Sequence, residues 1–272
     1  METPNEKKFN PYRPPETTAT APSEAMENAV AAYIPDGRTV AAGEGLEWLA
    51  AAWRLFVAAP VMWMLMVVLY AVFMLVLAFV PVVGTLMGFL LYGVITAGWL
   101  AGATAVAHGE KLELDHLFAG LKGKPEPLFV LGAFYAAGLI AITLLVIIAL
   151  AVGLASSVLV STIMSGSLPD ATALLGALVV VLLGLALVAP LMAALWFAPA
   201  LVYFHDVRPT TALKVSFIAC LKNWLPFLVY GVPLLMLFLL AAIPFGLGLL
   251  VVGPLAFISG YTSYRSVFTD GA

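Results

Sequence analysis

The chain has 272 residues, 63% of them hydrophobic and 10% charged, with a formal net charge of −3 and a mean hydropathy of +1.08. Soluble domains carry roughly 25% charged residues, so a water-soluble core is excluded, and the charge balance leaves no footprint for nucleic acid. A membrane crossing needs about 20 apolar residues, so the length suits one helical membrane bundle with a short tail.

Residues 1–40 are rich in Pro, Thr, Glu and Ala, with Pro11, Pro14 and Pro15 close together. Such a segment cannot bury enough surface to offset its ordering entropy, and it is predicted to be a disordered cytoplasmic tail, either a solvated leader or a polyproline-type docking strand. A cleavable signal would run from a short basic region straight into an apolar core. Here about forty polar residues come first, and the first span is expected to remain as an anchor.

Residues 41–268 are predicted to form the membrane domain, with 269–272 as a C-terminal end. A first amphipathic stretch places Leu46, Leu49, Ala50, Trp53 and Phe56 on one helical stripe, with Glu44, Glu47 and Arg54 away from it. Spans then follow at 59–80 and 82–106. A second amphipathic stretch, Leu114, Leu117, Phe118 and Leu121, precedes spans at 127–153 and 172–204. A third, Leu213, Phe217, Leu221 and Trp224, precedes spans at 225–243 and 245–264. None of the six spans contains Asp, Glu, Lys or Arg. The fold class predicted is all-α: six transmembrane helices in three hairpins, each preceded by a cytoplasmic amphipathic helix able to lie in the interface.

The connections carry the orientation signal. Lys111, Lys122 and Lys124 lie between spans two and three, and Arg208, Lys214 and Lys222 between spans four and five; Arg54 precedes the first span and Arg265 follows the last. The turns at 80–85 and 242–248 are apolar, and that at 156–172 has only Asp170 as a charge. The bias of Lys and Arg toward the cytoplasm then places both termini there. Trp48, Trp53, Trp63, Trp99, Trp196 and Trp224 all fall in the inner half or at its edge, as indole's interfacial preference requires. Pro60 and Pro226 open matching spans, Pro81 and Pro244 mark matching turns, and the two-span unit repeats in one sense, unlike the inverted repeats of many transporters. Pro190 and Pro199 are expected to kink or divide the fourth segment, and Pro233 and Pro254 the fifth and sixth.

The blocks AGEGLEWLAAAWRLFVAAP (Ala42–Pro60), ACLKNWLPFLVYG (Ala219–Gly231) and SYRSVF (Ser263–Phe268) together resemble a family of uncharacterised proteobacterial inner-membrane proteins. More distantly, the alternation of amphipathic helix and hairpin resembles the membrane domain attached to some glycerophosphodiester phosphodiesterases. The closer resemblance spans about residues 38–268, with Ala52 where the family usually has Gly. It implies a bacterial inner membrane and a six-helix domain, and brings no activity, cofactor or catalytic residue.

Chemistry-bearing residues are sparse. His108, Glu110, Glu113, Asp115 and His116, with His205 and Asp206, could be read as metal ligands, but a cytoplasmic loop makes such residues ordinary solvated groups. Gly84 and Gly88, and Gly98 and Gly102, have the four-residue spacing that lets helices approach closely, within the bundle or between copies in a homo-oligomer. Tyr70, Tyr92, Thr96, Thr104, Tyr135, Thr143 and Ser161 are the polar groups noted within the spans, and an intramembrane ionisable residue of the kind coupled transport uses is missing. Cys220 is the single cysteine, which rules out an intramolecular disulfide. No nucleophile triad, zincin run or phosphate loop is present.

The predicted role is a non-catalytic integral protein without cofactor or metal, whose cytoplasmic rim contacts membrane lipids or a protein partner. Trp53, Arg54, Lys222, Asn223, Trp224 and Arg265 are the rim residues; Arg54 and Lys222 are expected near phosphate groups, and the Trp side chains to fix depth. Topology alone would also place these residues there. The alternative is a transporter, channel or lipid-handling protein for an apolar or lipid-like solute, with a path lined by Gly, Thr and Tyr and proline-broken helices 4 to 6 as the moving part.

Overall fold

The computed structural model describes residues 33–122, 125–164 and 171–270, which fall in a single unit beginning at Tyr33. The predicted tail up to Ala32, Lys124 and Asp170 lie outside the described residues. Charge-free apolar runs become helices because lipid offers the backbone no partners and a helix satisfies its own amides.

Helix α1 (Glu44–Ala58) leads into α2 (Pro60–Ala78), where Pro60 stands in the first turn and so forfeits no intrahelical bond. Next come α3 (Pro81–Leu90), α4 (Tyr92–Ala107) and a 3₁₀ segment, Leu114–Leu121. Then follow α5 (Glu126–Met164), α6 (Ala171–Trp196) and α7 (Ala198–His205). The chain closes with α8 (Pro209–Lys222), α9 (Trp224–Ala242) and α10 (Leu249–Phe268).

Four segments among the described residues are long and apolar enough to cross a membrane: Pro60–Ala78, Glu126–Ser156, Leu174–His205 and Trp224–Ala242. The pair α3 and α4, bent by 48° at Leu91, supplies a fifth if it counts as one crossing. The predicted second span is therefore broken rather than straight. Its break coincides with a close approach to α5: a Cβ on Gly132 would lie 2.0 Å from the Leu90 carbonyl oxygen, and one on Gly93 would lie 2.4 Å from that of Leu128. Only glycine allows such backbone contact. Gly98 and Gly120 repeat the device between α4 and the 3₁₀ segment, where added Cβ atoms would meet the Leu117 and Val94 carbonyl oxygens at 2.5 and 2.3 Å. Of the glycines singled out by spacing, Gly84, Gly98 and Gly102 serve contacts inside the chain, whereas Gly88 meets only the Met74 side chain at 3.8 Å.

The predicted sixth span differs most. Helix α10 falls outside the segments that qualify by apolar character, and twelve of its twenty residues are buried. It packs against α1, α2, α4 and α9. The polar stretch from Ser259 to Ser266 is enclosed by protein, so it need not match lipid.

The prolines act selectively. The fourth segment divides at Phe197, with Pro199 in the first turn of α7, while Pro190, Pro233 and Pro254 lie inside continuous helices. Helix α5, at 39 residues, would measure about 58 Å if straight, against a hydrocarbon layer of about 30 Å. The second amphipathic stretch is 3₁₀ rather than α-helical, opened by Glu113, whose backbone N–H donates to His116 Nδ1 at 3.0 Å. In α1 the face packed on the bundle is Gly45, Trp48, Ala52 and Phe56; of the predicted stripe only Phe56 is buried, and Leu46 and Trp53 point outward.

Burial is concentrated at the end of the molecule that carries the charges. Trp63 stacks on Trp99 with ring centroids 5.9 Å apart, and Trp99 on Phe257 at 4.4 Å. Trp48, Phe197, Ile258 and Phe268 complete this core. Away from it Phe79, Val82, Leu174 and Phe245 are bare apolar surface.

Candidate functional site

The hydroxyls of α10 are used to fasten other elements. Ser259 Oγ satisfies itself on the Leu255 carbonyl at 2.7 Å, the back-bond available to any helical serine. Thr262 Oγ1 reaches the Trp48 carbonyl of α1 at 2.8 Å, and Trp196 Nε1 donates to Ser263 Oγ at 3.1 Å. Ser266 Oγ donates to Glu44 Oε2 at 3.1 Å. Helix α1 is thereby held along the last two turns of α10.

Between them opens a cleft of about 470 Å³, floored at one side by the end of α4. Glu44, Glu47 and Arg54 enter from α1, Arg265, Tyr261 and Thr262 from α10, and Leu55 and Ala107 supply apolar wall. On α1 the charged Glu44, Glu47 and Arg54 share one helical face with Ala51. Both signs of charge thus meet in a space of ligand-pocket size. Glu47 and Arg54 are exposed, Glu44 and Arg265 half-buried.

A strap from Tyr33 to Val40 closes the neighbouring surface. Ile34 N donates to the Phe268 carbonyl at 2.9 Å and Arg38 N to that of Val267 at 2.8 Å. Arg38 Nε donates to the Ser266 carbonyl at 2.7 Å. Asn223, fully buried, clamps the strap: its Oδ1 accepts the Val40 N–H at 2.8 Å, and its Nδ2 donates to the Arg38 and Ala219 carbonyls at 3.0 and 2.9 Å. Lys222 Nζ donates to the Asp36 carbonyl at 3.3 Å. Tyr33 stacks on His205 at 3.7 Å, and His205 Nε2 meets the Tyr264 hydroxyl at 2.5 Å. Burial, and secondly the Asp36 carboxylate, raises the Tyr33 phenol above its ordinary range. Residues 33–40, assigned to the tail by composition, are packed.

The six predicted rim residues therefore separate into four places. Arg54 and Arg265 share the cleft. Lys222 and Asn223 hold the strap, Asn223 as a sealed structural group and not as a surface contact. Trp53 is 49% exposed on the outer side of α1, and Trp224 is 63% exposed beside an apolar groove that includes Pro190, Trp196 and Phe227. Glu44, Glu47, Tyr261, Thr262 and Ser266 were not singled out by the sequence as site residues; the fall in apolar character from Ser259 onward was the available signal.

The histidines do not converge: His108 Nδ1 bonds the Thr104 carbonyl, His116 caps the 3₁₀ segment, and His205 joins the tyrosines. Among the described residues no three His, Cys, Asp or Glu side chains come together. A second cavity of about 480 Å³ lies beside the bend at Leu91, lined by Tyr70, Tyr92, Thr96 and Tyr135 with apolar neighbours. Tyr92 donates to the Leu195 carbonyl at 3.2 Å, and Thr96 to the Tyr92 carbonyl at 2.8 Å.

No family model matches the chain, and no solved structure matches it. The chain is similar to a protein of Burkholderia thailandensis named as a probable inner membrane protein, at 28% identity over 255 residues, covering 84% of this chain and 92% of that protein. The likeness therefore runs through most of both chains and agrees with the apolar helices described above.

Proposed function

We propose that the chain is a non-catalytic, multi-pass protein of the bacterial inner membrane that acts through the polar end of its bundle, held at the cytoplasmic face. The observation that carries this reading is the gathering of charge at one end: the cleft with Glu44, Glu47, Arg54 and Arg265, and the strap clamped by Asn223, adjoin the same turns of α10. In this reading α3 and α4 form one crossing and α10 is the sixth. An even number of crossings returns the two ends of the domain to one side. The outward Trp53 and Trp224 set the depth, as indole does at membrane interfaces, and the rim contacts lipid headgroups or a protein partner.

Affinity capture of the full chain from membranes tests the accessory role. A single stoichiometric partner, lost on deletion of residues 1–32, which spares the packed strap, is expected; the same recovery with and without those residues would remove the tail from the account.

A second reading has one observation in its favour. The tyrosine-lined cavity beside the bend lies within the apolar part of the bundle, where a lipid-like solute could be held. In liposomes, movement of a labelled lipid above empty vesicles, abolished by Tyr135→Phe or by substitution of Pro190 or Pro233, would favour lipid handling over the accessory role.

A further inference from the structure

We infer that the cleft between α1 and α10 binds a phospholipid headgroup that carries both a phosphate and a primary ammonium group. This deepens the reading of the rim as a lipid-facing surface and rests on it. Two cationic and two anionic side chains line the cleft, so a ligand carrying both signs complements all four, whereas a singly signed one opposes two of them. Arg54 and Arg265 are guanidinium groups, whose planar fork fits phosphate oxygens. Glu44 is already oriented by the Ser266 hydroxyl on one oxygen, leaving acceptor capacity for an ammonium donor, and Glu47 stands one turn further along the same face.

The helix dipoles favour acids in the first turn of α1 and a base in the last turn of α10. They do not require those groups to face one another across a cleft. Nor do they call for Arg54 on that same face. Placement supplies an independent argument. Leu46, Trp53 and Val57 project from other faces of α1 as exposed apolar side chains, the arrangement of a helix lying in the interface with its apolar side in the acyl boundary. The cleft then opens at headgroup depth, with Leu55 and Ala107 toward the hydrocarbon.

The charge pattern also sets selectivity. A purely anionic headgroup meets the Glu44 and Glu47 carboxylates unfavourably. A quaternary ammonium has no N–H to give them and suits aromatic cages instead.

The test uses the purified full chain in detergent micelles, with native mass spectrometry reading retained lipid after incubation with equal amounts of phosphatidylethanolamine, phosphatidylglycerol and phosphatidylcholine. Phosphatidylethanolamine is expected to be retained about ten-fold over the other two, a difference of about 1.4 kcal/mol. Glu47→Gln should erase the preference over phosphatidylglycerol, Glu47→Asp should keep it, and Arg54→Gln should lower retention of all three phospholipids together. Glycerophosphoethanolamine, the same headgroup without acyl chains, should fail to displace the lipid at equal concentration. Equal retention of the three lipids, an unchanged ratio in Glu47→Gln, or displacement by the soluble headgroup would each overturn the inference. Micelles carry no sidedness, so failure here leaves the topological reading standing, and failure of the topology leaves this selectivity intact.

Discussion

Asn223 ties the strap at Arg38 and Val40, more than 180 residues away in sequence, to the junction of α8 and α9, where it also bonds the Ala219 carbonyl. Because the side chain is fully buried, its replacement by alanine strands the Val40 N–H and the Arg38 carbonyl without water to substitute. Leaving such groups unpaired costs about 1–3 kcal/mol each. Asn223→Ala should therefore lower the thermal midpoint in detergent by several degrees, whereas Lys222→Ala, which removes one exposed contact, should leave it nearly unchanged; equal effects would contradict the clamp. Cys220 offers a second measurement at this scale. Burial pushes its thiol up to about 12, with the Ser216 hydroxyl acting in the opposite direction. The folded chain should resist maleimide at neutral pH while the denatured chain reacts. The sign for stability follows: an exposed thiol in the unfolded chain ionises near 9, so this contribution is complete below that pH and is lost as pH rises from about 9 toward 12. A denaturation midpoint that rises across that window would contradict the buried thiol.

At the scale of elements, glycines decide which helices approach. Gly132→Ala would place a methyl 2.0 Å from the Leu90 carbonyl oxygen, so α5 must retreat from α3 and α4; a marked loss of folded yield and thermal midpoint is expected. Gly260→Ala meets nothing within 4 Å and should be neutral or stabilising, by up to about 1 kcal/mol from helix propensity. Matched circular-dichroism melts check the pair, and similar melts for the two would refute the close-approach account. Composition and apolar run length predicted α2, α5, α6 with α7, and α9 closely, because lipid imposes those features locally. The bend at Leu91 was not legible, since Leu91 is neither Pro nor Gly and the break coincides with contacts to Gly132 on another helix. The strap was not legible either: its bonds run to Ser266, Val267, Phe268 and Asn223, about 180 residues or more away in sequence.

For the whole molecule, the one-sided charge led to the expectation of a rim that contacts lipid or a partner, and the structure distributes the residues named for it over a cleft, a strap and two outward tryptophans. Arg54 and Arg265 were legible as rim residues because bases mark the ends of apolar runs. Their acidic companions were not, because Glu44 and Glu47 resemble ordinary first-turn helix acids until α10 is seen to face them. Helix α10 itself carries the largest difference from expectation, with serines, threonines and tyrosines that bind α1, α6 and α7 from the centre of the bundle. The central claim is that this polar end faces the cytoplasm while the apolar turn at Phe245 and Gly246 faces outward. In a Cys220→Ala background, single cysteines at Asp36 and Leu247 can be labelled in cells with a membrane-impermeant maleimide. The account predicts that Leu247→Cys reacts in intact cells and Asp36→Cys only after permeabilisation; the reverse pattern, or the two reacting alike in intact cells, would contradict it.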